Sequence, residues 1–313
     1  MLRRTCLLLL ALALAPRPAH ATFHFIQIAE VFGGGGAAGD QAQYVELKSY
    51  SAGQNLLTNH SVVFYNAAGT EVGRTTFTGS VTNSANQATV LVATSAAATL
   101  FGITPDKEMT SPLIDRSGGK VCWDTAPAVV PGLAILDCFA WGAYTGPAGS
   151  GPTAVGTPFP ALQPGVAAHR RLDVAGSPTV LESADDTGNS ATDFVAAFPF
   201  PRNNAGKVGP EDGDGIAPDV DNCPFFANPE QTDTDGDHRG DACECGDQDG
   251  DGKNTVSDLV AINSAIFNPV LATPLCDANG DGLCNVNDII SVNNEIFSPT
   301  NTSTCAREPV PGP

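Results

Sequence analysis

The sequence predicts a multidomain chain: an N-terminal all-β sandwich, then an irregular acidic segment ordered by bound metal, then a small α-helical module of two loop-and-helix units. Three observations carry that expectation. Short β-branched and aromatic runs bounded by Gly, Asn, Asp or Pro fill residues 22–205. From Glu211 onward aspartates recur at every second position with glycines among them. Near the C-terminus one stretch occurs twice, thirty residues apart.

Residues 1–21 read as an export signal. Arg3 and Arg4 precede a short apolar run over 7–15, and Ala19-His20-Ala21 supplies a small-x-small cleavage site. That run is too short to span a bilayer, and no later stretch is long and apolar enough. The expected product is secreted or held at the cell surface, without a membrane span. Of the nine cysteines, Cys6 falls in the signal, and the even remainder suggests a paired disulfide framework. Eight cysteines allow 105 pairings. Sequence proximity favours Cys122 with Cys138, Cys223 with Cys243, Cys276 with Cys284, and Cys245 with Cys305.

The runs predicted as strands are 25–31, 44–47, 61–65, 75–77, 89–92, 120–123 and 138–141, which together suggest an antiparallel sandwich with a substantial core. Gly34, Gly36 and Gly39 follow a strand, but another strand follows them and no acid lies between Glu46 and Glu71 to hold a ribose, so a flexible loop is expected rather than a nucleotide cradle. His169-Arg170-Arg171 reads as a basic surface spot, and Asp185-Asp186 as part of a polar loop before the last strand. The order of the runs resembles a lamin-tail-like (immunoglobulin-like) domain. The motifs are Ile28 to Val31 followed by Gln43 to Leu47, the Asn66 to Gly69 turn, Gly118 to Cys122 leading to Asp137 to Gly142, and the ending Arg170 to Leu172, Ser190 to Val195 and Pro199 to Pro201. The resemblance implies a modular, bacterial, exported protein in which this domain binds an unidentified ligand or acts as a scaffold, with no catalytic residues to carry over.

The net charge of −19 is concentrated from Glu211 onward, where twenty of the 34 acidic residues face only Arg239, Lys253 and Arg307. Nucleic acid would be repelled by this half. In the segment 206–244, oxygen-bearing side chains at alternate positions suit a hard cation of calcium size. Asp233, Asp235, Asp237, the carbonyl of Arg239 and Glu244 fill positions 1, 3, 5, 7 and 12 of one loop, with His238 where glycine is usual. Upstream, Asp212, Asp214, the carbonyl of Ile216 and Asp221 form a loop whose first position is Pro210, so it lacks a ligand and should bind more weakly. Asp221-Asn222-Cys223-Pro224, Asn228-Pro229, Gln231 to Asp237 and Gly240 to Cys243 resemble thrombospondin type-3 repeats. Such a segment has little apolar core, so metal and disulfide must supply its order.

The duplicated stretch occupies 245–305, ahead of a tail over 306–313. Asp247, Asp249, Asp251, the carbonyl of Lys253 and Asp258 fill positions 1, 3, 5, 7 and 12 of the first loop. Asp277, Asn279, Asp281, the carbonyl of Leu283 and Asp288 do so in the second, with Gly252 and Gly282 at the sharp turn. Carboxylates about 4 Å apart repel by roughly 4 kcal/mol per pair near a protein surface, so Ca²⁺ should close loops that are open without it. Leu259, Ile262 and Ile266, like Ile289, Val292 and Ile296, are spaced for one face of a helix, with Phe267 and Phe297 closing each stripe. There is no room for an entering helix before the second loop. This duplicated loop and exit helix resembles a dockerin domain with EF-hand-type loops, which implies Ca²⁺-dependent docking to a cohesin-like partner.

No enzyme is expected. The four histidines beyond the signal, His24, His60, His169 and His238, have no zinc spacing, no nucleophile elbow occurs, and the thiols are expected to be oxidised. Three roles follow: a calcium-dependent docking or adhesion protein, a calcium-stiffened surface spacer, and an accessory component of extracellular polysaccharide-degrading machinery. The last is suggested only by the company dockerins keep.

Overall fold

The computed structural model describes residues 25–35, 39–124, 135–210, 214–216, 220–225, 227–232, 240, 246–250, 254–272, 274–279 and 283–297. The expected export signal and the C-terminal tail lie outside these residues.

Ten strands form among the described residues: β1 (Ile26–Phe32), β2 (Tyr44–Ser49), β3 (Ser61–Asn66), β4 (Glu71–Thr76), β5 (Thr89–Ala93), β6 (Lys107–Glu108), β7 (Gly118–Asp124), β8 (Ile135–Gly142), β9 (Ala167–Arg170) and β10 (Phe194–Ala197). They make a six-stranded sheet, β10-β9-β1-β2-β5-β6, and a four-stranded sheet, β4-β3-β7-β8. Pairing is antiparallel except between β5 and β6, which run parallel. The predicted two-layer sandwich is therefore present, with β4 displaced toward Glu71 relative to the predicted 75–77 run.

The core forms where alternate residues of the two sheets meet. Ile28, Val45, Leu47 and Val92 from one sheet pack with Phe64, Val121, Trp123, Phe139 and Trp141 from the other. Strand β1 changes parity midway, because its pairing with β2 shifts register between Ile28 and Glu30. That irregularity turns Val31 inward and leaves Phe32 in a second buried cluster with Tyr44, Leu91 and Ala93. A short helix, α1 (Ser95–Leu100), covers this outer face and is capped by Thr94, whose hydroxyl accepts a hydrogen bond from the Ala97 amide. Phe101 completes the layer, its ring 5.6 Å from Phe32 and 5.5 Å from Tyr44. The predicted Cys122–Cys138 disulfide joins directly paired residues of β7 and β8.

One sequence reading is corrected here and a second is refined. His169-Arg170-Arg171 is not a surface spot, because the Arg170 side chain is 1% exposed and bonds Asp137 Oδ2 at 2.7 Å, with Asp137 equally buried. Its Nε also donates to the Ile28 carbonyl at 2.7 Å. Only Arg171 remains outside, paired with Asp173. Asp185 does stand in a polar turn ahead of β10, but its side chain is buried, accepting hydrogen bonds from the amides of Ala175 and Glu182. Arg170 is buried because the facing sheet supplies Asp137 as its partner, whereas Asp185 is buried by backbone amides of its own connection between β9 and β10.

The chain stays pinned to the sandwich as far as Pro210. The Arg202 amide donates to Glu46 at 2.6 Å, the Asn204 amide to Asp106 at 2.8 Å, and Lys207 Nζ to the Gly102 carbonyl at 2.8 Å.

Candidate metal centre

The C-terminal module is built on two twelve-residue helices, α3 (Val256–Phe267) and α4 (Val286–Phe297), each beginning within the last three positions of a predicted loop. Thr255 caps α3 through a capping box, its hydroxyl accepting from the Ser257 amide while Asp258 reaches back to the Thr255 amide. Ile262, Ala265, Val292, Cys276 and Ala278 form the buried core between the helices, flanked by Leu259, Ile266, Ile289 and Ile296. The predicted Cys276–Cys284 disulfide closes beside them. Phe267 and Phe297, expected to close the stripe, are instead 82% and 63% exposed. Each lies one residue past an inward isoleucine, about 100° around the helix from the apolar face.

The first loop brings Asp247, Asp249 and Asp258 together, with one carboxylate oxygen from each lying within 4.8 Å of the others. Asp247 and Asp258 are fully buried and Asp249 is exposed. Asp258 is held twice by backbone amides: Oδ2 accepts from Thr255 at 2.7 Å and Oδ1 from Asp249 at 3.1 Å. Asp247 Oδ1 accepts from the Gly250 amide at 3.0 Å, a turn for which Gly250 adopts a φ of +72°.

The second loop repeats this pattern. Asp288 is fully buried, its Oδ2 accepting from Asn285 at 2.6 Å and its Oδ1 from Asn279 at 3.1 Å. Asp277 and Asn279 are half-buried and Leu283 is exposed. The predicted ligands Asp251, Lys253 and Asp281 lie outside the described residues. An all-oxygen set with two buried carboxylates drawn together fits a hard divalent cation such as Ca²⁺, whose charge would offset the repulsion.

Of the upstream repeats, Asp214, Ile216 and Asp221 are described. Asp212, Asp233, Asp235, Asp237, Arg239 and Glu244 lie outside the described residues. Asp214 Oδ1 accepts from the Ile216 amide at 2.7 Å and Oδ2 from the Asn228 amide at 3.0 Å. Burial raises the Asp221 pKa, partly offset by hydrogen bonds from Gln231 and the Cys223 amide, and the charge of Asp214 raises it further. Around these acids runs an amide-rich lattice that the ligand arithmetic did not foresee. Gln231 Nε2 donates to Asp221 and to Asn228 Oδ1, both at 2.8 Å, and Asn228 Nδ2 donates to Asn222 at 2.6 Å. The recurrence of Asn and Gln between the acidic runs was its only sequence signal. Gly240 closes the lattice, its amide donating to the Asn222 carbonyl at 2.9 Å, and a Cβ there would meet Asn222 Oδ1 at 2.4 Å. Cys223 is disulfide-bonded, while its predicted partner Cys243 lies outside the described residues, as do Cys245 and Cys305.

A family model described as thrombospondin type 3 repeat matches residues 211–231 and 232–266. Repeats of that family bind calcium, and the second match extends through the Asp247, Asp249 and Asp258 cluster into α3. No curated protein and no solved structure matches the chain. Among the described residues no helix is long and apolar enough to cross a membrane.

Proposed function

We propose that the chain is a non-catalytic, calcium-binding modular protein that works outside the cell or at its surface, joining a lamin-tail-like sandwich to a docking or adhesion module through thrombospondin type-3 repeats. The observation that carries the calcium part of this reading is the convergence of Asp247, Asp249 and Asp258 within 4.8 Å. The burial of Asp247 and Asp258 and the hydrogen bonds to Asp258 aim these oxygens at one point, and when bound the ion supplies charge neutralisation and a crosslink. Extracellular modules of this kind typically bind with Kd of about 10⁻⁴ to 10⁻³ M, which makes the ion a standing structural part rather than a signal.

The dockerin-like reading of 245–305 is supported by the matching hydrogen bonds of the two loops and by large apolar side chains left exposed on both helices. Val256, Val260, Val286 and Ile290 are all more than half exposed. Such residues offer a cohesin-like partner an apolar surface. The test is isothermal calorimetry on the purified protein with Ca²⁺, repeated on an Asp247→Ala/Asp277→Ala variant. Three to four sites are expected in the wild type, with the tightest heats lost in the variant and its α-helical circular dichroism lost at millimolar calcium. A variant that keeps both would refute the ligand assignment.

A further inference from the structure

The acidic repeats do not simply follow the sandwich, because one of their side chains is seated on it. Phe225 packs against the outer-face cluster of the six-stranded sheet, its ring centroid 6.0 Å from Phe101 and 6.1 Å from Phe198. Phe101 in turn meets Phe32 and Tyr44 of the sheet itself. The chain is tied down on both flanks of Phe225. On one side Cys223 is disulfide-bonded and its amide donates to Asp221 at 2.9 Å. On the other the Asn228 amide donates to Asp214 at 3.0 Å. Asp214 and Asp221 are also two of the oxygen ligands assigned to the upstream loop.

We propose that cation binding at the Asp214 and Asp221 loop latches the repeat segment onto the sandwich through Phe225, so that calcium stiffens the junction between the two and not only the acidic half. The inference rests on the calcium reading given above. Its physical basis is that, among the described residues of the segment, Phe225 is the one that joins an apolar cluster, and that cluster belongs to the sandwich. With the acids repelling one another, the loop carrying Phe225 loses the geometry that presents the ring. A half-buried aromatic contact helps only while its backbone is held in place, and here two of the holding groups are the aspartates assigned as ligands. Residues 201–210 are anchored to the sandwich independently, through Arg202 to Glu46, Asn204 to Asp106 and Lys207 to Gly102, so the latch concerns the segment beyond Pro210.

The two tryptophans of the chain, Trp123 and Trp141, both lie in the sandwich core, so tryptophan fluorescence reports the sandwich alone. Thermal melts of the purified protein followed at that signal, in millimolar Ca²⁺ and in excess EDTA, read the latch directly, and calorimetry on the same samples reads binding. In the wild type the calcium melt should lie above the EDTA melt by about 2–4 °C. Phe225→Ala should abolish that difference while melting like the wild type in EDTA and still binding calcium, and Phe225→Leu should keep part of it. An unchanged difference in Phe225→Ala, or none in a wild type that binds calcium, would overturn the latch. A wild type with no calcium-binding heat would overturn the calcium reading itself, and the latch with it.

Discussion

At Arg170 and Asp137 two opposite charges share a site from which water is almost wholly excluded, 33 residues apart in the chain. Burial lifts the Asp137 pKa to about 7, with Arg170 pulling it down and Asp186 pushing it up. A carboxyl raised in this way takes up a proton on folding. Its contribution to stability is complete below the unfolded value near 3.9 and is lost as pH rises through about 7. Arg170→Met would leave Asp137 buried without its counter-ion. The expected cost is about 3–5 kcal/mol at pH 8, and less at pH 5 where the carboxyl can be neutral. Urea titrations followed by tryptophan fluorescence at the two pH values would check this, and equal losses at both would contradict it. Arg170 could not be placed from sequence, because its partners Asp137 and the Ile28 carbonyl come from other strands. The aspartates of the first C-terminal loop, by contrast, were legible because ligand spacing is written locally.

Among the elements, the strands rich in Val, Ile and aromatic residues, such as β3 and β5, stood out in the sequence. Strand β9, whose run is Ala167-Ala168-His169-Arg170, did not, since its place is set by pairing with β1 and β10 rather than by its own propensity. Helices α3 and α4 were legible from their 3.6-residue stripe, except at Phe267 and Phe297. Ile262 is fully buried between them, so Ile262→Ala should cost about 2–5 kcal/mol, while Phe267→Ser should stay within about 0.5 kcal/mol. Melts at 222 nm in calcium would separate the two, and comparable losses would mean that the exposed phenylalanine is covered in solution.

For the whole molecule, the two halves should respond to acid in opposite directions. In the sandwich, burial raises the pKa of Glu46, Asp106 and Asp186 as well as Asp137. His169 is subject to a lowering by burial, but the charge and hydrogen bond of Glu30, with the Phe198 carbonyl, outweigh it and raise the pKa overall. All these groups contribute stability at lower pH that is lost as pH rises, so the tryptophan melt should move up between pH 8 and pH 5. Calcium competes with protons for carboxylate oxygens, so affinity should fall over the same interval. Parallel trends would mean that the halves share one determinant of stability. The deeper contrast is in what holds each half together: the sandwich has a layered apolar core, whereas two twelve-residue helices with a small core are marginal on their own. Amide hydrogen exchange in millimolar Ca²⁺ and in excess EDTA measures this most directly. Protection across Val256–Phe267 and Val286–Phe297 should disappear in EDTA while that of β1, β2, β7 and β8 persists; helices that stay protected without calcium would contradict calcium-dependent folding of the acidic half.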